Sequence, residues 1–92
     1  MIGGCDTVKL AFTYGTPLYV TDEARIRENF RGYMTTLSRH YPHIRVLYAA
    51  KANGNLSIMK ILAQEGAGAD VFSSGELHLA LLAGMKPEHL LF

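Results

Sequence analysis

The chain has 92 residues, 49% of them apolar and 18% charged, and a formal net charge of +1. This composition fits one small folded domain and excludes a disordered segment. The charge leaves no basic field for nucleic acid, and no apolar run reaches the roughly 20 residues of a membrane-spanning helix.

Residues 1–15 are weakly patterned. Val8, Leu10 and Phe12 alternate with Lys9, Ala11 and Thr13, which suits a short strand. Asp6 and Thr7 equally suit the cap of a helix over 7–13, with Val8, Ala11 and Phe12 on one face, and the helix is preferred. Tyr14-Gly15-Thr16-Pro17 is turn chemistry, and Leu18-Tyr19-Val20 reads as a short strand. A helix follows, with Thr21 as its cap and Asp22 and Glu23 at the end of the helix that favours negative charge. Ile26, Phe30, Tyr33, Leu37 and Tyr41 recur at helical spacing and form its apolar face. Arg25, Arg27, Arg31 and Arg39 fall largely elsewhere and read as a solvated face. Pro42 ends the helix.

Ile44 to Ala50 is expected as a strand. Its nearly continuous apolarity predicts burial on both faces, as in a parallel sheet covered by helices. Alternation puts Arg45, Leu47, Ala49 and Lys51 on one side, and the small Ala49 leaves room beside Lys51. Asn55 caps a helix over 55–65, with Leu56, Met59, Leu62 and Ala63 on one stripe. Gly66 takes the left-handed position that closes it. A second strand covers 68–72. Ser73 and Glu76 then have capping-box spacing at the start of a third helix, which Gly84 ends. Leu90 opens another strand. Ending on Leu90-Leu91-Phe92, the chain looks cut, because a strand needs neighbours to pair its backbone.

From Ile44 onward, strand, helix, strand, helix, strand predicts an α/β fold with parallel strands. The pattern suits either an open doubly wound sheet or a barrel of eight such units. A whole barrel takes about 250 residues, so 92 residues hold only its first β/α units, an incomplete barrel.

Lys51 is the first candidate for chemistry. It closes a strand, and both architectures bind ligands at the C-terminal ends of their strands. An amine near apolar neighbours loses its proton more readily, and a neutral amine attacks aldehydes. The competing reading is a surface lysine. Asp70, near the start of the second strand, either faces Lys51 from the neighbouring strand or bonds nearby backbone. Glu76 has a capping role, and Ser73 and Ser74 offer hydroxyls or amides to an anion. Gly66-Ala67-Gly68 precedes a strand rather than a helix, so it fails as a dinucleotide fingerprint. His40, His43, His78 and His89 are scattered, so no metal site is expected. The lone Cys5 forms no internal disulfide, and no secretory signal is visible, so a cytoplasmic location is expected.

The motif Tyr48-Ala49-Ala50-Lys51-Ala52-Asn53-Gly54-Asn55 resembles the lysine motif of the diaminopimelate decarboxylases, pyridoxal-phosphate enzymes of the alanine-racemase-like barrel fold. Gly15-Thr16-Pro17-Leu18-Tyr19-Val20, Gly66-Ala67-Gly68-Ala69-Asp70-Val71 and Ser73-Ser74-Gly75-Glu76-Leu77 are similar to further segments of that family, in order and spacing. The resemblance implies that Lys51 bonds pyridoxal 5'-phosphate, that Asp70 is an acidic residue beside the cofactor, and that Glu76 matches an acidic position on the following helix. It implies that residues 1–20 belong in part to a second, β-rich domain, and that 21–92 open the pyridoxal-phosphate-binding (β/α)8 barrel. It further implies a small amino-acid substrate, meso-diaminopimelate decarboxylated to lysine, and a homodimer of the full-length enzyme. Related decarboxylases of arginine, ornithine or carboxynorspermidine are the alternative, and a non-catalytic truncated chain is another. Phe72 and Ser74 depart from the family by replacing smaller residues, and Phe72 is expected to crowd the barrel interior. The family's phosphate-binding glycine loop, its ring-stacking histidine, and the cysteine and tyrosine from a partner subunit have no counterpart in these 92 residues.

Overall fold

A computed structural model describes residues 1–92. Helix α1 spans Thr7–Tyr14 and is capped by Asp6, whose carboxylate accepts from the Val8 and Lys9 amides. It buries no residue. Val8 and Phe12, expected on a packed face, are exposed, because nothing in the chain lies against them. No strand forms at Leu18–Val20 either, since no other segment pairs with it.

Helix α2 spans Glu23–Ser38. Its cap is Asp22 rather than Thr21: the Asp22 carboxylate accepts from the Arg25 amide at 3.2 Å. A charged acceptor at this position answers both the free amide and the helix dipole. The buried line is Phe30, with Ile26 and Met34 one turn away on either side. Tyr33 and Tyr41, expected on the same face, are exposed.

Strand β1 spans Leu47–Ala49, and a single 3₁₀ turn over Ala50–Ala52 follows it. Helix α3, Leu56–Glu65, is capped by Asn55 and closed by Gly66 at φ 99°, as the sequence predicts. Strand β2 is Gly68–Asp70, helix α4 is Ser74–Leu82, and strand β3 is Leu90–Leu91. The strands lie in the order β1-β2-β3, and both pairings are parallel. Leu47 pairs with Gly68 and Ala49 with Asp70, while Asp70 also pairs with Leu91. The predicted alternation of strands and helices therefore forms.

The expectation of helices on both faces of the sheet does not hold. Helix α3 packs between α2 and α4. Tyr48, Ala69 and Leu90, which occupy matching positions on the three strands, belong to the core beneath these helices. By the strand period of two, Leu47, Ala49, Gly68, Asp70 and Leu91 belong to the opposite face. No helix of the chain covers that face, and β1 is only half-buried along its length. Eleven of 92 residues are buried, so the core is thin. The radius of gyration is 15.2 Å, against about 12 Å for a compact domain of this length. The molecule is a slab of 45 × 34 × 17 Å, one layer of helices on one short sheet.

Gly68 is what lets the three strands approach. A β-carbon there would run into the His89 carbonyl oxygen and come within 2.6 Å of Leu47 Cδ2.

Candidate functional site

The C-terminal ends of the strands gather the residues of interest. β1 stops at Ala49 because the chain turns tightly at Ala50, which is fully buried. Strand alternation therefore does not extend to Lys51; this residue sits two residues past the strand, in the turn, and is exposed. The polar residues around it are engaged in holding the loop. The Tyr48 hydroxyl donates to the Asn53 carbonyl at 2.9 Å. Asn53 Oδ1 accepts from the Asn55 amide at 3.1 Å, and Asn55 Oδ1 accepts from the Ser57 amide at 2.9 Å. Partial burial raises the Tyr48 phenol above the usual tyrosine value, which keeps it a neutral donor.

Asp70 is the last residue of β2, not one near its start, and is half-buried. It lies in register with Ala49, two residues before Lys51. Neither Asp70 nor Lys51 takes part in an ion pair. The register brings the two onto adjacent strand ends without joining them.

The neighbour that sequence reasoning missed is Phe72. Its ring centroid lies 4.7 Å from Lys51 Nζ. The ring is 61% exposed and stands at the mouth. The signal available in the sequence was its position: a large aromatic two residues past Asp70, in a loop with no apolar periodicity to absorb it. Glu76 secures this loop. Its Oε2 accepts from the Phe72 amide at 2.7 Å, while Ser73 Oγ accepts from the Glu76 amide at 3.1 Å. The expected capping box thus forms with its return bond moved one residue, to Phe72 instead of Ser73.

An apolar groove of about 580 Å³ lies elsewhere, between α2 and β1, and includes Ile26, Phe30, Tyr48 and Leu62. It does not reach Lys51, whose near neighbour is the Phe72 ring. Ionic pairing is likewise concentrated away from Lys51. Arg27 and Arg31, expected to be solvated, converge on Glu65 at 3.1 and 2.6 Å. Hydrogen bonds from Arg31 and then Arg27 hold Glu65 below the usual carboxylate range against partial burial. No group of three His, Cys, Asp or Glu side chains converges as metal ligands do. No helix is long and apolar enough to cross a membrane.

An exposed amine at the ends of parallel strands, next to an aromatic ring and one strand from an unpaired carboxylate, is equipped to capture a carbonyl group. Curated proteins resemble the chain along its whole length. Diaminopimelate decarboxylase of Methanothermobacter thermautotrophicus is 52% identical over 92 residues, which is 100% of this chain and 22% of that protein. The Bacillus methanolicus enzyme of the same name is 47% identical over 88 residues, 96% of this chain and 20% of that protein. A crystal structure of diaminopimelate decarboxylase from M. jannaschii superposes with a TM-score of 0.89 at 39% identity, covering 98% of this chain and 22% of that one. The same enzyme in complex with L-lysine gives a TM-score of 0.86 at 35% identity, over 98% of this chain and 25% of that one. The chain spans about a fifth of the length of these curated relatives. Residues 23–92 match the family described as pyridoxal-dependent decarboxylase, pyridoxal binding domain. With that match covering most of its length, the chain belongs to the pyridoxal-dependent decarboxylases, within their pyridoxal-binding barrel domain.

Proposed function

We propose that this chain supplies the lysine-bearing opening of a pyridoxal-phosphate-dependent decarboxylase that converts meso-diaminopimelate to lysine. The observation that carries the reading is the exposed Lys51 amine, free of any ion pair, at the C-terminal end of a parallel sheet. The relatives named diaminopimelate decarboxylase, one of them solved with L-lysine, support the substrate.

The residues present fit the cofactor. Its aldehyde needs an amine that no carboxylate has claimed, and Lys51 is one. Its ring needs open space on the sheet, and the helix-free face bearing Ala49 and Asp70 offers small and half-buried positions. Lys51 is thus the residue that bonds the cofactor. Asp70, on the adjacent strand end, supplies negative charge beside it. Tyr48, Asn53 and Asn55 hold the Lys51 loop in place. When bound, pyridoxal phosphate supplies an electron sink for the pair left behind as carbon dioxide departs.

In the same reading, residues 1–20 belong in part to a second, β-rich domain, and residues 21–92 open the barrel. Helix α1 buries nothing and exposes Val8, Phe12 and Tyr14, which suits a segment that packs on something other than the barrel. The full-length enzyme is then a cytoplasmic homodimer, for which the exposed, unpaired Cys5 suits a reducing compartment.

The test is covalent mapping. The chain is mixed with pyridoxal phosphate, reduced with borohydride, digested and sequenced by mass spectrometry. The mass increment is expected on Lys51 and absent from the Lys51→Arg variant. A label of equal yield on Lys60 or Lys86 overturns the assignment. Given meso-diaminopimelate and the cofactor, the 92-residue chain is expected to release no carbon dioxide. Three strands neither close a barrel nor exclude water from the reacting groups.

A further inference from the structure

The contact between Lys51 and Phe72 joins two loops that are each fixed independently. On one side, the turn carrying Lys51 is held by the fully buried Ala50 and by the bond from the Tyr48 hydroxyl to the Asn53 carbonyl. On the other, the Phe72 backbone is held between Val71, which is buried and donates its amide to the Leu91 carbonyl, and the Glu76 carboxylate. The backbone thus brings a cation and an aromatic face together above the strand ends. Phe72 lends little to the core, being mostly exposed. Lys51 has no ion-pair partner, so the ring is the neighbour that meets its charge. A cation within about 6 Å of a ring centroid is attracted by the negative face of the ring, and 4.7 Å is inside that range.

We propose that Phe72 is a positioning residue for Lys51. Its ring holds the amine over the end of β2, so the amine waits in a defined place and is shielded from indiscriminate reaction. A carboxylate partner would hold the amine more tightly. An aromatic face binds it weakly enough for an arriving ligand to displace it. The functional meaning rests on Lys51 being the cofactor-bonding lysine, but the contact itself does not.

The test contains no aldehyde, so its failure is separate from a failure of the cofactor assignment. The chain is treated at fixed pH with an N-hydroxysuccinimide acetate ester, which acetylates amines and releases N-hydroxysuccinimide. Acetylation of Lys51 is followed by mass spectrometry relative to Lys60 and Lys86, both exposed. In Phe72→Leu, which keeps apolar bulk but has no ring, Lys51 is expected to react about two- to fivefold faster against those references, the range of an exposed cation–π contact. In Phe72→Tyr the wild-type ratio is expected to return. No acceleration in Phe72→Leu, or the same acceleration in Phe72→Tyr, overturns the proposal. A second readout needs no variant to fold: in the NMR spectrum of the wild-type chain, the ring current is expected to move the Lys51 ε-protons upfield of those of Lys60. Coincident resonances overturn the proposal as well.

Discussion

Replacing Gly68 by alanine is the most direct test of how the sheet is held together. The position is not in the left-handed region, so alanine is allowed by backbone conformation, and space alone decides the outcome. The added methyl meets Leu47 Cδ2 at 2.6 Å and the His89 carbonyl oxygen closer still. The Leu47 side chain can rotate away. His89 cannot move so easily, because it lies in the Pro87–His89 turn that leads directly into β3, and the Glu88 carbonyl is tied to Arg45 at 3.2 Å. β3 must therefore move from β2, at the expense of the Val71-to-Leu91 bond of 2.8 Å. Overpacking of this kind costs about 1–3 kcal/mol. For a chain of this size each kcal/mol is worth about 4–8 °C, so the thermal midpoint followed by circular dichroism should fall by roughly 5–20 °C. Gly32→Ala is the matched control. It lies within α2 with nothing inside 4 Å of its added methyl, so it should gain about 0.5–1 kcal/mol from helix propensity and a less flexible unfolded chain. If Gly68→Ala melts at or above the wild-type temperature, the close-approach argument is wrong.

Tyr48→Phe removes the bond to the Asn53 carbonyl and is expected to cost about 0.5–1.5 kcal/mol. Amide exchange at Asn53, Gly54 and Asn55 should quicken more than in α3, and a uniform change across both would argue against a local pin. Glu65 is held below its ordinary value of 4.5, so its contribution to stability is present above that value and is lost as pH falls through the lower, folded-state value. Urea midpoints measured down to acidic pH should therefore fall more steeply in wild type than in Glu65→Gln; parallel curves would show that the arginine cluster is not linked to folding. Leu82, Leu91 and Phe92 are exposed, and β1 and β3 have unpaired edges. Sedimentation velocity should accordingly show a mass that rises with concentration, and a single monomeric species throughout would refute it.

Local rules in the sequence carried much of this fold. Asn55 and Gly66 bracket α3 as their capping chemistry requires, and the strand–helix alternation after Ile44 sets a parallel sheet. What failed depended on partners. The apolar faces of residues 8–12 and 18–20 were legible as patterns, but nothing in the chain packs on the first or pairs with the second. Arg27 and Arg31 looked like surface charges because helical spacing does not show that Glu65, more than thirty residues away, lies against them. Lys51 was legible as a candidate because a lysine at the end of an apolar run is unusual on its own. Phe72 was not, because one aromatic in a loop has no period, and only the register of β1 on β2 brings its loop beside the lysine.

The two ends of the sheet treat charge differently, and that difference bears on how the lysine remains usable. Glu65 lies three residues before β2, at the N-terminal end of that strand, and there it gathers both arginines. Such a pairing stabilises and would silence a nucleophile, because a bound carboxylate favours the ammonium form. At the C-terminal end, the acidic residues are either engaged by backbone amides, as Glu76 is, or left unpaired, as Asp70 is. The Glu76 contact therefore does two things at once: it closes the start of α4 and fixes the backbone of the residue whose ring lies beside the amine. An amine whose neighbour is an aromatic ring stays displaceable, which is the condition a ligand arriving at that mouth requires.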